Sequence, residues 1–246
     1  MIILRRGDRL PMVAVVQMLL NQRDGEPFLD VDGWYGRNTR RAVINFQQSH
    51  GLPPRGVINA ATWARLKQSH QRILDSVDAT DPGILDHEDI RLVGGTPIVN
   101  YGMSGGSPVV VDRVVAQATN NSLVLLRFHG HGSPGHMIVS SGVLDTGSAL
   151  AQEYGPKFFS YLRRLGPLFL DYGSIELNGC RVGQGRAGRL LLQGMANAIG
   201  VPVTAGIQSQ YGGGSSTFRF EGPTRTICPY GQSLRSWAAS KCGISQ

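Results

Sequence analysis

The sequence predicts a small all-α three-helix bundle followed by an α/β domain with a mainly parallel sheet. The first 66 residues carry apolar side chains at helical spacing, separated by turns rich in glycine and proline. After residue 96, short apolar runs that suit buried strands alternate with longer amphipathic segments. We therefore expect a first domain over residues 1–66, a linker over 67–96 and an α/β domain over 97–246.

The composition suits a folded protein of one large or two modest domains. Hydrophobic residues make up 41% of the 246 positions and charged residues 17%, so the chain can bury a sizeable core. The net charge of +7 fits a nucleic acid, an anionic membrane or an acidic cell wall. No Lys/Arg run is interleaved with aromatic residues, so we expect no nucleic-acid partner. The longest apolar runs are too short to span a membrane.

The beginning and the cysteines bear on the cellular compartment. The apolar run after Met1 is too short for a cleaved signal peptide, so we expect export to the periplasm or cell wall without one, or a cytoplasmic location before export. The three cysteines, Cys180, Cys228 and Cys242, are too few for a disulfide scaffold. A Cys228–Cys242 disulfide and three reduced thiols both fit the sequence.

Residues 1–66 contain three amphipathic segments. Apolar residues recur every three or four positions in the first two, and a third helix begins at Thr62. A turn at residues 32–36 separates the first two segments, and the Gly and Pro residues at 51–54 end the second.

This segment resembles the peptidoglycan-binding domain 1 family, a three-helix module. The matching residues, in order, are Leu4 to Asp8, Val16-Gln17, Leu19-Leu20, Asp32-Gly33-Trp34-Tyr35-Gly36, Thr39, Ala42-Val43, Phe46-Gln47, Gly51-Leu52-Pro53, Gly56-Val57-Ile58, Thr62-Trp63 and Leu66. The resemblance implies that peptidoglycan is a partner. Asp32, Trp34 and Tyr35 are the candidate contacts, because aromatic rings stack on sugars, although so small a bundle is expected to bury one of the two rings.

Residues 67–96 are acidic in an otherwise basic chain. Asp and Glu recur between residues 75 and 89, and Pro82-Gly83 interrupts the run. This pattern is typical of a solvated connector.

The last 150 residues alternate between strand and helix signals. Strands are expected at residues 123–128, 137–139, 174–177 and 201–205, and the run at 109–111 is a further apolar segment. Helices are expected within 149–165, over 186–199 and over 232–240, with a hairpin within 212–231.

Two of these strands end in chemically reactive residues. The strand at 123–128 runs into His129, Gly130, His131 and Gly132, and the strand at 174–177 runs into Asn178, Gly179 and Cys180. Catalytic groups collect at the carboxyl ends of parallel strands. A cysteine nucleophile needs a base nearby, usually histidine. The backbone N–H groups of Gly132 and Cys180 could face the oxyanion that forms during acyl transfer.

This pairing resembles the caspase-like cysteine peptidases, which include caspases, metacaspases, legumain and gingipains. The resemblance is carried by Gly130-His131-Gly132, by His131 to Gly135, by Gly179-Cys180-Arg181-Val182-Gly183, by Ala187-Gly188 and by the strand at 201–205. Within that clan the closest likeness is to an uncharacterised bacterial branch. It implies a caspase-like fold, a Cys180 nucleophile and a His131 base that cleave a peptide or protein without a cofactor or metal. His129 would flank the site or be a packed strand histidine.

Three other functions remain open at this stage. An L,D-transpeptidase also follows a peptidoglycan-binding module and carries a Gly-Cys-x-Arg motif, but that family is mostly β. A zinc amidase would use His129, His131, His136 and Cys180 as ligands. A non-catalytic wall-binding protein would use none of them.

Overall fold

A computed structural model of the chain describes residues 1–23, 28–101, 106–140, 149–151 and 155–243. The helices are α1 (Pro11–Arg23), α2 (Arg37–Ser49), α3 (Ala60–Leu66), α4 (Asp86–Leu92), α5 (Gly106–Gln117), α6 (Gly155–Leu162), α7 (Gly185–Ile199) and α8 (Leu234–Cys242). The strands are β1 (Arg72–Asp78), β2 (Ile98–Asn100), β3 (Leu123–His129), β4 (Gly132–Ser133), β5 (His136–Ile138), β6 (Ala149–Ala151), β7 (Phe169–Asn178), β8 (Val203–Gly206) and β9 (Thr224–Ile227). Short 3₁₀ turns cover Arg163–Leu168, Gly214–Phe218 and Pro229–Gly231.

The strands form a six-stranded sheet in the order β2-β1-β3-β7-β8-β9. Its pairs are parallel except at β9, which runs antiparallel to β8. Strands β4, β5 and β6 make a small antiparallel sheet beside it. This confirms the predicted helical N-terminal region followed by an α/β domain with a mainly parallel sheet. In the described ranges, every helix is too short or too polar to cross a bilayer.

Each face of the large sheet packs against helices. Side chains of α5 and α7 share one apolar cluster with Leu126, Phe128 and Ile175 of the strands. Helices α1, α2, α3 and α8 share another with Leu125 from the opposite face of the sheet. The N-terminal helices therefore pack directly on the α/β domain.

Helix α1 lies in the middle of this second cluster. The eleven residues from Pro11 to Asn21, out of thirteen in the helix, are all buried. A helix that is apolar on every side must be covered on every side. The remaining helices of the bundle cover part of α1, and β7 and α8 cover the rest.

The segment expected to be a linker is part of the fold. Residues 72–78 form β1, which pairs with β2 on one side and β3 on the other, and Asp86–Leu92 forms α4. The prediction failed because aspartates usually mark exposed chain, whereas Asp75 and Asp78 are buried in this strand.

One local prediction is also corrected. The apolar run at residues 109–111, which the sequence pattern does not assign to a helix or a strand, lies in α5, where Val110, Val111 and Val114 form one buried helix face. Residues 212–231 contain one strand, β9, rather than a hairpin, and its partner β8 lies before that segment. Cys228 and Cys242 are buried free thiols, so no disulfide joins them.

A row of polar side chains crosses the sheet on the face that carries the N-terminal helices. Asp75, Arg127 and Glu176 are register partners on β1, β3 and β7. The row continues into Thr204 on β8 and Thr226 on β9, whose hydroxyls are 2.8 Å apart. All of these except Thr226 are buried, so their mutual contacts must replace the water they lose.

Arg127 holds the row together. Its Nε donates to Asp75 Oδ1 at 2.7 Å, and its Nη2 donates to the carbonyl oxygen of Met1 at 2.6 Å. The guanidinium also lies 5.5 Å from the ring centroid of Phe218. One buried cation thus links the N-terminal segment to the centre of the sheet, and losing it would leave the buried Asp75 carboxylate with its contact to His129 but without the arginine.

The carboxylates of the row respond to burial in opposite ways. Burial raises the pKa of Asp75, but Arg127 and His129 outweigh it and leave that pKa well below its ordinary value. Burial raises the pKa of Glu176 to about 7, and the attraction of Arg127 only partly offsets it. Glu176 is therefore the carboxylate of the row that titrates near neutral pH.

We predict that the N-terminal helices and the α/β domain unfold together. Trp237 on α8 is 2% exposed and lies in the cluster shared by both parts. Trp237→Ala should lower the free energy of unfolding by about 3–5 kcal/mol and shift one common transition. Calorimetry and urea unfolding measure this, with Trp34→Ala as the matched control at a 48% exposed tryptophan. Two separate transitions in the parent chain would contradict the shared core.

We predict a pH dependence of stability that comes from Glu176. Because its native pKa of about 7 exceeds the ordinary 4.5, the unfolded chain loses the proton first as pH rises, and stability falls across that interval. Glu176→Gln should remove this loss. The difference in free energy of unfolding between the variant and the parent should therefore move in favour of the variant by roughly 3 kcal/mol between pH 4 and pH 8. Glu88→Gln, at an exposed helical site, is the control. Equal pH profiles for the Glu176→Gln protein and the parent would contradict the assignment.

Candidate active site

The ends of β3 and β7 bring His131 and Cys180 to one place. These strands are parallel neighbours, and His129 on β3 pairs with Asn178 on β7. Two residues beyond that pair, His131 and Cys180 line a common cavity of about 290 Å³, together with Gly130 and Asn178. The structure therefore brings both residues to the same edge of the sheet.

Glycines allow the two loops to lie against each other. A Cβ on Gly132 would be 3.1 Å from the backbone nitrogen of Cys180, and one on Gly179 would be 3.0 Å from the carbonyl oxygen of Gly130. Any larger residue would push the loops apart. The two candidate oxyanion donors, the N–H groups of Gly132 and Cys180, thus belong to adjacent stretches of backbone.

His131 has a carboxylate partner that the sequence did not reveal. Its Nε2 is 2.8 Å from Asp81 Oδ2, with the histidine side chain 55% exposed and the aspartate 45% exposed. A hydrogen bond from Gly83 and one from His131 hold the pKa of Asp81 below its ordinary value. Because Asp81 takes Nε2, the other ring nitrogen of His131 is the one left for chemistry.

Cys180 lies under a loop. The thiol donates to the carbonyl oxygen of Gln210 at 3.2 Å, and the N–H of Gln210 approaches the sulfur at 3.4 Å. Arg181, the next residue, has a left-handed backbone with φ of 56° and donates its N–H to Gln208 at 2.9 Å. Such backbone strain in a non-glycine residue is common next to reactive groups.

The other two cysteines have a different environment. Burial raises the pKa of Cys228 to about 12 and that of Cys242 to about 12. Both lie in the apolar cluster of the N-terminal helices. Buried thiols of this kind are chemically inert.

His129 does not flank the cavity but lies beneath it. It is fully buried, with Nδ1 2.9 Å from Asp86 Oδ2 and Nε2 3.0 Å from Asp75 Oδ1. Burial lowers its pKa, but the two carboxylates outweigh burial and raise it. The packed strand histidine is therefore the correct alternative of the two in the sequence prediction.

Through Asp86, His129 supports the loop above Cys180. Asp86 Oδ1 accepts hydrogen bonds from the N–H of Gly213 at 3.0 Å and from the hydroxyl of Thr217 at 2.6 Å. Asp86 also lines the cavity of Cys180. A buried chain of contacts thus runs from the sheet centre to the covering loop.

The structure bears on two of the alternative functions. Nowhere in the described residues do three His, Cys, Asp or Glu side chains cluster closely enough to hold a metal ion. Among the candidate zinc ligands, His129 has both ring nitrogens engaged by carboxylates. The L,D-transpeptidase alternative expects a mostly β domain, whereas this one has helices on both faces of a parallel sheet.

The candidate wall-binding residues divide into one exposed ring and one buried ring. Trp34 is 48% exposed, whereas Tyr35 is fully buried and its hydroxyl donates to the carbonyl oxygen of Gly56 at 3.2 Å. Asp32 Oδ1 accepts from Gln17 Nε2 at 2.9 Å and from the N–H of Trp34 at 2.8 Å. Tyr35 therefore stabilises the bundle, Asp32 shapes the turn, and Trp34 is the ring available to a sugar.

Cavities lie on both sides of Trp34. One, of about 520 Å³, is formed by the bundle itself and includes Arg6, Asp32 and Tyr35. The other, of about 420 Å³, has Thr224, Thr226, Leu234 and Arg235 of the α/β domain as its far wall. The guanidinium of Arg9 lies 5.1 Å from the Trp34 ring centroid. The exposed tryptophan thus lies next to both parts of the chain.

Sequence reasoning missed Asp81 and Gln210. Asp81 follows β1, whose carboxyl end lies at the same sheet edge as those of β3 and β7. Placing β1 in the sheet would have suggested Asp81 as the partner of His131. No sequence signal points to Gln210, because it contacts Cys180 through backbone atoms.

Comparisons with known proteins bear on the N-terminal region. A curated protein of Kitasatospora aureofaciens, "Uncharacterized protein in bpoA1 3'region", is 49% identical over 37 residues, which are 15% of this chain and 31% of that protein. The similarity thus spans less than a third of the relative's length. No solved structure matches the chain. Residues 9–66 match the family model described as "Putative peptidoglycan binding domain", which supports peptidoglycan binding by the N-terminal helices.

Proposed function

We propose that the chain is a caspase-like cysteine peptidase held on peptidoglycan by its N-terminal helices. The observation that carries this proposal is the cavity lined by both Cys180 and His131 at the carboxyl edge of β3 and β7. Asp81 is the third group, because its Oδ2 lies 2.8 Å from Nε2 of His131 and can orient the imidazole ring. A nucleophile, a base and a group that orients the base are the recurring parts of thiol catalysis.

The proposed reaction is amide hydrolysis through a thioester. His131 takes the proton of Cys180, and the sulfur attacks the carbonyl carbon of the amide. The C–N bond breaks, and the amine leaves with the proton from His131. Water, deprotonated by His131, then attacks the thioester, which releases the carboxylic acid and restores the thiol. The N–H groups of Gly132 and Cys180 would stabilise both tetrahedral oxyanions.

The loop at Gln210 has a defined part in this proposal. Its backbone occupies the hydrogen-bonding positions around the sulfur. A substrate must take the place of these contacts to bring its carbonyl carbon to Cys180.

We propose that the protein acts in the periplasm or cell wall as an exported bacterial effector, where its wall-binding helices retain it.

We predict selective reaction of Cys180 with an irreversible, thiol-directed peptidyl probe. Cys180 should be labelled while Cys228 and Cys242 are not, because burial raises the pKa of each of these two to about 12. His131→Ala should slow labelling by about 10²–10⁴-fold, the usual contribution of a general base. Mass spectrometry of the intact and digested protein identifies the labelled residue.

Two further variants sharpen this test. Asp81→Asn should slow labelling by about tenfold, because it weakens the orientation of His131. His70→Ala, at an exposed site away from the cavity, is the matched control and should label like the parent. An unlabelled Cys180 in the folded parent, or equal labelling in the His131→Ala protein, would favour a non-catalytic wall-binding protein.

We predict that Trp34 carries much of the affinity for the wall. Trp34→Ala should weaken binding to purified sacculi by about tenfold, because an exposed aromatic ring is a typical anchor for a sugar. Cosedimentation measures the bound fraction. Tyr230→Ala, at a 78% exposed aromatic residue of the α/β domain, is the control. Equal cosedimentation of the Trp34→Ala and Tyr230→Ala proteins would contradict this role for Trp34.

A further inference from the structure

Three neighbouring cavities lie between Trp34 and Cys180. The first, beside Trp34, and the second, of about 270 Å³, share Gly7 as a wall. The second and the third, which holds Cys180, share Arg219. The wall-binding turn and the candidate catalytic cavity are therefore linked by surface that residues of both domains line.

Basic side chains along this surface are open to a ligand. Arg6 lines the first cavity, Arg9 the second, and Arg219 the second and third. Within the described ranges, none of these three arginines forms a salt bridge with a carboxylate. Arg9 lies over the Trp34 ring and Arg219 donates one N–H to the carbonyl oxygen of Phe220 at 3.5 Å, and their other N–H groups can pair with anionic groups of a bound chain.

The acidic side chains in the same cavities are already occupied. Asp8 accepts the N–H of Arg5 at 2.8 Å, and Asp32 accepts from Gln17 and Trp34. Asp86 accepts from Thr217 and faces His129. These carboxylate oxygens are thus engaged within the protein, whereas the arginines keep N–H groups that can donate to the carboxylates of an extended ligand.

We infer that the substrate is the stem peptide of the peptidoglycan strand that the N-terminal helices hold. This inference rests on the proposed peptidase function and names its substrate. A peptidoglycan strand is a sugar polymer that bears short peptides with free carboxylates. A sugar at Trp34 leaves its peptide to follow Arg9 and Arg219 toward Cys180. The acyl group of one amide is transferred to the sulfur and then to water, and the amine leaves with a proton from His131.

The test uses purified sacculi and the full chain. Released and shortened stem peptides are measured by mass spectrometry after the glycan has been digested. The parent should shorten the peptides and Cys180→Ala should not. Arg9→Glu and Arg219→Glu should each slow this cleavage by about tenfold. The rate at which a small uncharged peptidyl probe labels Cys180 is measured in the same variants, and the cleavage rate is divided by it. Arg189→Glu, an identical charge change at an exposed site on α7, should cleave like the parent.

The possible results distinguish a wrong substrate from a wrong peptidase function. If Cys180 is labelled but sacculi stay intact while an unlinked protein is cleaved, the substrate inference is wrong and the peptidase stands. If the Arg9→Glu and Arg219→Glu proteins cleave sacculi as fast as the Arg189→Glu protein, the arginine surface plays no part and the inference is wrong. If Cys180 is not labelled at all, both proposals fail.

Discussion

Three parallel strands, β1, β3 and β7, end together at one edge of the sheet, and the chemistry proposed for this protein depends on their register. One candidate residue follows the end of each strand: Asp81 follows β1, His131 follows β3 and Cys180 follows β7. A shift of one residue in any pairing would turn the following side chain to the other face of the sheet. Glycine at positions 132 and 179 then lets the loops approach until their backbones are in contact. The site is thus set by backbone pairing before any side chain selects a partner.

One face of the same sheet also packs against the N-terminal helices. Helix α1 buries residues on all of its sides, and part of that burial is against β7 and α8. The covered face of the sheet nevertheless carries a buried row of charges centred on Arg127, which costs desolvation energy. Arg127 recovers part of this cost by binding both Asp75 and the carbonyl oxygen of Met1. We interpret the row as a specific fastening between the two parts, which an apolar interface would not supply.

The sequence is sufficient to predict the bundle, the strands β3, β7 and β8, and the position of His131 and Cys180 at one edge of the sheet, because each of these follows from local periodicity and from the strand-end rule. It is insufficient for β1, because a strand rich in aspartate has the composition of an exposed connector. Its two partners on β3, Arg127 and His129, make burial of Asp75 tolerable, and they lie 52 and 54 residues away in the chain. The role of Asp81 was missed for the same reason. Long-range electrostatic pairing is the part of this fold that local patterns do not contain.

The packing of the two domains against each other changes what wall binding could do for the proposed peptidase. On a flexible linker, a binding module raises the concentration of every substrate within reach of the linker. Here only residues 67–71 separate α3 from β1, and the two parts share one buried cluster, so the separation between Trp34 and Cys180 is fixed by packing. A fixed separation favours one position on a bound polymer over all others, because only a group at that distance reaches the sulfur without deforming either domain. A substrate that is covalently part of the bound strand keeps the same position relative to Trp34 at each binding event, whereas a freely diffusing protein reaches the sulfur only by a second encounter.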